Sequence, residues 1–288
     1  MLHNFLQLLL AYSSDLIPAF LLALLISAVL AEILPESFYG KVLSSKNFIS
    51  IFLASIIGAL VPLCTCGMIP LANTLQKKGV SWLMVISFLT AGNASSITAL
   101  ILTLVLGVKI TFYRLLFSVI FGILVAYIFV LFFNPTNKLN INHDGHVGAL
   151  HATPLHIKII SEFMSLISSF GPWVLVSIFI AASISMLFEP SYISKFAGKE
   201  NLFSPFLLAL GGFPFYFCAG SDIPISKVFL EKGASLGSVL AFMNAAPGVN
   251  LTSFIVYQKW LGIKNSFIYL AVSFLVCSGL GMIVNFIL

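Results

Sequence analysis

Two cysteines one residue apart, Cys64 and Cys66, stand between Pro62 and Pro70 in the run VPLCTCGMIP, inside a stretch otherwise built of apolar residues. A third, Cys218, lies in FCAGSDIP. Thiolates are soft ligands that select copper(I), zinc and similar ions, and three of them also suit a trigonal thiophilic centre such as trivalent arsenic. The competing account is that a free cysteine is a small buried hydrophobe. That account suits Cys277, which has no partner in the last apolar run, better than the other three. A disulfide between Cys64 and Cys66 is disfavoured, because a one-residue spacer strains the bond.

Asp222 is the one acidic residue well inside an apolar run. A carboxylate at the centre of a bilayer costs about 2.5–3.5 kcal/mol on insertion scales. It should therefore face a cavity, as a proton-coupling group or as charge compensation for a cationic ligand, unless a helix break places it at a hydrated end. Asn93, Ser95, Ser96, Thr98, Asn244, Asn250 and Thr252 offer hydrogen bonds in apolar surroundings. Of these, Asn93, Ser96, Asn244 and Asn250 are the candidate substrate ligands beside the thiols, although such residues also join membrane helices to one another.

The elements that must hold these groups follow from composition. Of 288 residues, 60% are hydrophobic and 8% charged, with a mean hydropathy of +1.10, which a soluble domain would not carry on its surface. A helix needs roughly 20 apolar residues to cross a bilayer core about 30 Å thick. About eight runs qualify on that length, near 14–33, 48–72, 82–105, 112–133, 168–188, 203–226, 235–258 and 264–287. They are continuous rather than alternating, so the fold class is all-α, a polytopic membrane protein. No basic lead precedes the first run, and residues 1–14 are expected to stay as an interfacial lead-in.

The chain also repeats itself. Laid on itself with a shift of 154 residues, it matches Pro18 with Pro172, Gly58 with Gly212, Cys64 with Cys218, Pro70 with Pro224, Gly79 with Gly233, Ser81 with Ser235 and Thr98 with Thr252. Ungapped coincidence of Pro, Gly and Cys marks an internal repeat. It divides the chain into a first membrane repeat (1–133), a polar linker (134–160) and a second membrane repeat (161–288). Cys66 then faces Gly220, and Met68 faces Asp222.

Duplicated halves are typical of secondary transporters, whose site lies near the midplane on broken helices. The breakers are Pro62, Gly67 and Pro70, then AGNASS (Ala91 to Ser96), and in the second half Pro214 and Pro224 within GGFPFYFCAGSDIP, then Pro247 in NAAPGVN. Breaks leave backbone groups that lipid cannot satisfy, so they persist where protein or trapped water does. Whether the halves run parallel or inverted stays open.

The remaining features are plainer. Lys77-Lys78-Gly79 and Glu231-Lys232-Gly233 read as helix stops. The net charge of +5 comes from cations at the ends of apolar runs, Arg114 and Lys109 among them. It suits a lipid bilayer as partner rather than nucleic acid. The linker holds His143, His146, His151 and His156, a tract of a kind that can bind metal but with no tetrahedral spacing. No G-x-x-x-x-G-K-[ST] loop is present, so ATP hydrolysis by that route is excluded. A thiol redox enzyme would be expected to carry C-x-x-C, which is lacking. No enzyme activity and no cofactor are expected.

PLCTCGMIP, followed by LANTLQKKGVSW and FLTAGNASS, resembles the signature of the predicted-permease family that includes the arsenic-efflux permeases. FCAGSDIPISKVFLEKGASLGSVLAFMNAAPGVN resembles that family's C-terminal repeat, and the likeness runs from about Asp15 to the end. It implies a cell-membrane permease, of bacterial inner-membrane type, that exports thiophilic species: trivalent organoarsenicals, or copper or zinc in a related branch. Cys64 and Cys66 occupy the family's cysteine motif, and Cys218 joins them only through the repeat. The chain departs from the pattern at Asn93, where relatives carry a breaker such as Pro. The expectation is a permease moving a small thiophilic solute past Cys64, Cys66 and Cys218. The alternative is a carrier of a small sulfur compound or organic anion, with structural cysteines.

Overall fold

The structure is a computed structural model, and it describes residues 21, 48–61, 68, 71–72, 75–76, 79–132, 196–199, 201–213 and 220–287. The apolar runs near 14–33 and 168–188 and the histidine-bearing linker lie almost wholly outside the described residues.

Among the described residues the regular structure is helical and no strand occurs. Helix α1 (Phe48–Leu60) is followed by α2 (Trp82–Ala94), α3 (Ile97–Thr103) with a 3-10 turn at Leu104–Leu106, and α4 (Val108–Phe132). After the linker come α5 (Ser204–Gly212), α6 (Ile223–Glu231), α7 (Leu236–Gly248), α8 (Leu251–Leu261) and α9 (Ile263–Ile287). Among the described residues, three stretches are long and apolar enough to cross a membrane: Trp82–Leu106, Val108–Phe132 and Ile263–Ile287, each of 25 residues. At 1.5 Å per residue such a stretch spans about 37 Å, more than a bilayer core.

Helix α1 packs on α2 and α2 on α4, while α5 packs on α7 and α7 on α9. The two groups meet where α4 touches α9 and α7 touches α2. Close approach is set by small residues. A Cβ on Gly58 of α1 would fall onto the carbonyl of Phe88 of α2, and one on Gly212 of α5 would lie 2.9 Å from Ala246 Cβ of α7. Gly122 of α4 would similarly strike Ser87 O at 2.9 Å. On α9 the thiol of Cys277 donates to Ala241 O at 3.2 Å, which agrees with reading this cysteine as a buried small side chain.

The two expected helix stops have the same form. Gly79 (φ 84°) and Gly233 (φ 86°) adopt the left-handed conformation that a side chain would resist. In each, the glycine N–H returns to the carbonyl three residues back (Gln76, Leu230) and the next N–H to the carbonyl five back (Leu75, Phe229). This double bond is the Schellman arrangement. Two residues later Ser81 and Ser235 stand at the starts of α2 and α7.

The runs read as single spans are interrupted. Residues 82–105 form α2 and α3, parted at Ser95 and Ser96. Residues 235–258 form α7 and most of α8, parted at Val249 and Asn250. Residues 203–226 hold α5, a turn at Gly220–Asp222 and the start of α6.

Candidate functional site

The sequence places its breakers at these interruptions, and the local bonding explains how the chain tolerates them. Ser96 starts α3, its hydroxyl accepting from Ala99 N at 3.3 Å. Asn250 starts α8, with Oδ1 accepting from Ser253 N at 2.8 Å while Nδ2 donates to Ala246 O (2.9 Å) and Pro247 O (3.1 Å). Both side chains, expected as substrate ligands, are thus engaged in mending the break next to them. Pro247 is the penultimate residue of α7, which ends at Gly248, so the break at Val249 and Asn250 follows it directly. Pro224 occupies the first turn of α6, a position where the missing N–H is harmless.

A proline inside a helix deprives the carbonyl four residues back of its donor. For Pro247 that carbonyl belongs to Met243, and it receives its hydrogen bond from elsewhere. Arg114, on α4, donates from a terminal guanidinium nitrogen to Met243 O at 3.2 Å. The same nitrogen reaches Ala94 O, at the end of α2, at 3.4 Å, and the other terminal nitrogen donates to Thr103 Oγ1 at 2.9 Å. Asp222, before the first turn of α6, completes the set with Oδ2 3.0 Å from the guanidinium, both side chains being 0% exposed. One side chain therefore touches the end of α2, the carbonyl of α7 that Pro247 leaves open and the residue at the start of α6.

This arrangement corrects two expectations. Asp222 is at a helix end, but the end is not hydrated: it is fully buried against a cation. Arg114 is not an anchor at the mouth of a helix but a core residue, because its planar fork of donors can serve several acceptors at once. Its rarity was a signal available beforehand. It is the single arginine of the chain, every other one of the 14 strongly basic residues being lysine.

Asn93 is brought to the same centre. A Cβ on Gly248 would lie 3.5 Å from Asn93 Cβ, so the end of α2 and the end of α7 abut. Asn93 Nδ2 donates to Tyr257 OH of α8, and Tyr257 stands edge-on to Tyr269 of α9, with ring centroids 4.9 Å apart. Tyr269 OH bonds Thr90 Oγ1 at 2.9 Å, one turn before Asn93. The tyrosines were not singled out from the sequence, where they read as ordinary aromatic residues of apolar runs.

Among the described residues, Asn93 Oδ1, Ser95 Oγ, Asn244 Oδ1, Asp222 Oδ1, Arg114 Nε, Ser273 Oγ and Ser278 Oγ are buried without a hydrogen-bond partner, and Asp222 Oδ2 has only its ion-pair contact with Arg114. Buried polar atoms are ordinarily paired, and an unmet group costs about 1–3 kcal/mol. Most of these unmet atoms gather on residues 93–95, 114, 222 and 244, around the Arg114–Asp222 pair, while Ser273 and Ser278 lie on α9. Asn244 Nδ2 is occupied within its own helix, by Leu240 O at 2.8 Å.

Cys64, Cys66 and Cys218, with Pro62, Gly67, Pro70 and Pro214, lie outside the described residues. Among the described residues no three His, Cys, Asp or Glu side chains converge. Two described residues stand close to them in sequence. Met68, two residues after Cys66, is buried beside Gly92, next to Asn93. Gly220, two residues after Cys218, packs on α3, where its Cβ would lie 3.6 Å from Ala99 Cα.

Broken apolar helices gathered around a buried ion pair define a helical membrane protein with a polar centre. The comparisons with known proteins agree with that class: residues 1–286 match the ArsP_1 family, described as a predicted permease, and the chain belongs to that family. It is similar to the UPF0718 protein YcgR of Bacillus subtilis, 26% identical over 91% of this chain and 90% of the relative. It is also similar to the UPF0718 protein MJ0584 of Methanocaldococcus jannaschii, 21% identical over 94% and 92%. No solved structure matches it.

Proposed function

We propose that the chain is a secondary permease of the cell membrane that exports a thiophilic metal, metalloid or organoarsenical. The route passes the centre formed by Arg114, Asp222, Asn93 and Asn244, with Cys64, Cys66 and Cys218 as the exchanging ligands. The observation that carries this reading is the meeting of the two helix breaks at the Arg114–Asp222 pair. Secondary transporters hold their sites on discontinuous helices where repeats join, and Arg114 and Asp222 come from opposite halves of the chain.

The internal repeat, with about eight spans in two halves (1–133 and 161–288), belongs to the same proposal. It is supported by paired features 154 residues apart: Gly79 and Gly233 as stops, Ser81 and Ser235 as helix starts, Ser96 and Asn250 after the breaks. The two 25-residue helices, α4 and α9, follow with a shift of 155.

The pair also supplies a coupling group. While Asp222 is ionised, the guanidinium is neutralised and held to it. A proton on Asp222 removes that charge and leaves Arg114 with its neutral acceptors, Met243 O among them, so the Arg114–Asp222 contact between the halves depends on the proton while the Arg114–Met243 bond does not. A soft solute passing the thiols would be released by ligand exchange rather than held.

A second reading has one observation in its favour. The wholly buried guanidinium, with Nε–H unmet, is what a small organic anion or sulfur compound would need, and the cysteines would then be structural. The two readings part in one experiment: resistance and cellular content of arsenic, copper and zinc in an efflux-deficient bacterium expressing wild type, Cys64→Ser, Cys66→Ser or Cys218→Ser at matched membrane levels. Loss of one element in wild type alone supports thiol-mediated export. Unchanged contents, or serine variants as active as wild type, remove it and leave the anion reading.

A further inference from the structure

A cavity of about 240 Å³ lies at one end of the bundle, lined by Lys109, Tyr113, Lys199, Ser235, Leu236 and Asn285, none of which belongs to the ion pair. It stands where α4 and α7 begin and α9 ends. Its two ammonium groups come from distant parts of the chain, both exposed. Lys109 is the second residue of α4 and extends to 6.0 Å from the centroid of the Tyr113 ring. Lys199 is in the turn after residues 196–197, and that turn is fixed to the start of α7 by Ser235 N donating to Ala197 O at 2.8 Å. None of the described lining residues is acidic.

The polar floor is built rather than incidental. Asn285 Oδ1 accepts from Gly237 N at 2.9 Å, tying the end of α9 to the first turn of α7. Ser235 does not cap its own helix through its side chain, in contrast to Ser81, because its hydroxyl is shared with Ser238 at 2.6 Å. The positive end of the 13-residue α7 thus opens toward the same cavity as the two lysines.

The rim has the opposite character. Val108, beside Lys109, is 74% exposed, and Phe286, beside Asn285, is 89% exposed, with Phe112 and Phe203 also open. A cationic, hydroxyl-bearing cavity framed by outward apolar side chains, at the end of two helices long enough to cross a membrane, matches one kind of molecule. We propose that it binds the phosphate of an anionic phospholipid, whose acyl chains lie along the exposed apolar rim. Since Lys109 belongs to the first half and Lys199 to the second, the lipid bridges the two. Cationic side chains near an anionic membrane surface contribute about 1 kcal/mol each, but here a cavity fixes them on one headgroup.

The test uses the full-length protein purified in a mild neutral detergent and stripped of lipid, titrated with phosphatidylglycerol or phosphatidylcholine and read by native mass spectrometry. Wild type should bind phosphatidylglycerol about ten- to thirtyfold more tightly. The double variant Lys109→Gln with Lys199→Gln should lose that preference, and Lys109→Arg with Lys199→Arg should keep it, which separates charge recognition from misfolding. Equal uptake of the two lipids by wild type, or an undiminished preference in the glutamine variant, overturns the proposal. Displacement of phosphatidylglycerol by millimolar inorganic phosphate would also overturn it, by making this a site for a soluble anion. None of these readouts depends on what the permease transports.

Discussion

Arg114 donates to the carbonyl oxygen of Met243 at 3.2 Å across 129 residues of chain, and that oxygen is the one that Pro247, four residues on, leaves without its helical donor. A proline in one half of the protein is thus made tolerable by an arginine in the other. Helix α7 ends one residue after Pro247, at Gly248, and the carbonyl that the proline leaves open is met from outside the helix. Asp222 in turn neutralises the cation that makes the repair.

Removing one member of this pair leaves a buried charge unmatched. Arg114→Gln or Asp222→Asn should each destabilise the purified protein by about 3–5 kcal/mol. The double variant should lose clearly less than the sum. Thermal unfolding in detergent measures the cycle, and additive losses would show that the two charges are not coupled.

Pro247→Ala returns an N–H to α7 that can reach Met243 O and compete with Arg114. An interior proline costs about 3 kcal/mol in an ordinary helix; here the carbonyl already has a partner, so the gain should stay below about 1 kcal/mol. Transport should fall all the same, because the link between α4 and α7 is weakened. A variant with both full transport and a gain of the whole proline penalty would contradict the repair.

Packing of α1 on α2 depends on Gly58. An alanine there would push its methyl onto the backbone of Phe88, and overpacking of this kind costs about 1–3 kcal/mol. Gly211→Ala is the matched control: it lies in α5 with no atom of the described residues within 4 Å of the added carbon. It should stabilise by about 0.5–1 kcal/mol. Opposite signs for the two, in the same unfolding assay, are the expected result.

Tyr257→Phe removes the hydroxyl that receives Asn93 Nδ2. Asn93 Oδ1 is already unmet, so the variant should lose about 1–3 kcal/mol of stability. Loss of the asparagine as well should add little. A double-mutant cycle with Asn93→Ala checks this: full additivity would mean the two side chains act separately.

Cys277 should behave as a packing residue. Its thiol is buried at 0% exposure and donates to Ala241 O, so N-ethylmaleimide should leave it unmodified in the folded protein, since accessibility governs thiol reaction. Peptide mapping by mass spectrometry reads it directly. Cys277→Ala should transport as wild type does, and labelling within the time that modifies an exposed thiol would refute the burial.

Much of the architecture was legible in one dimension because the rules behind it are local. Length and apolarity marked α4 and α9 as membrane-length helices. Gly79 and Gly233 announced helix stops because only glycine takes their backbone angle easily, and the clusters around Asn93–Ser96 and Pro247–Asn250 announced interruptions because they hold breakers and capping side chains. The polar centre was legible only in part. The sequence marked Asp222, since a carboxylate in an apolar run needs a reason, but it could not name the partner. Arg114 lies 108 residues away, near the start of another apolar run, where a cation ordinarily reaches water. Only the packing of α4 against α2 and α7 places that side chain beside Asp222, Ala94 and Met243, and a contact between distant segments leaves no local pattern. Asn250 and Ser96 show the same limit from the other side: their types suit a ligand and a cap equally, and only the three-dimensional bonding shows the hydrogen bonds that they make at the breaks.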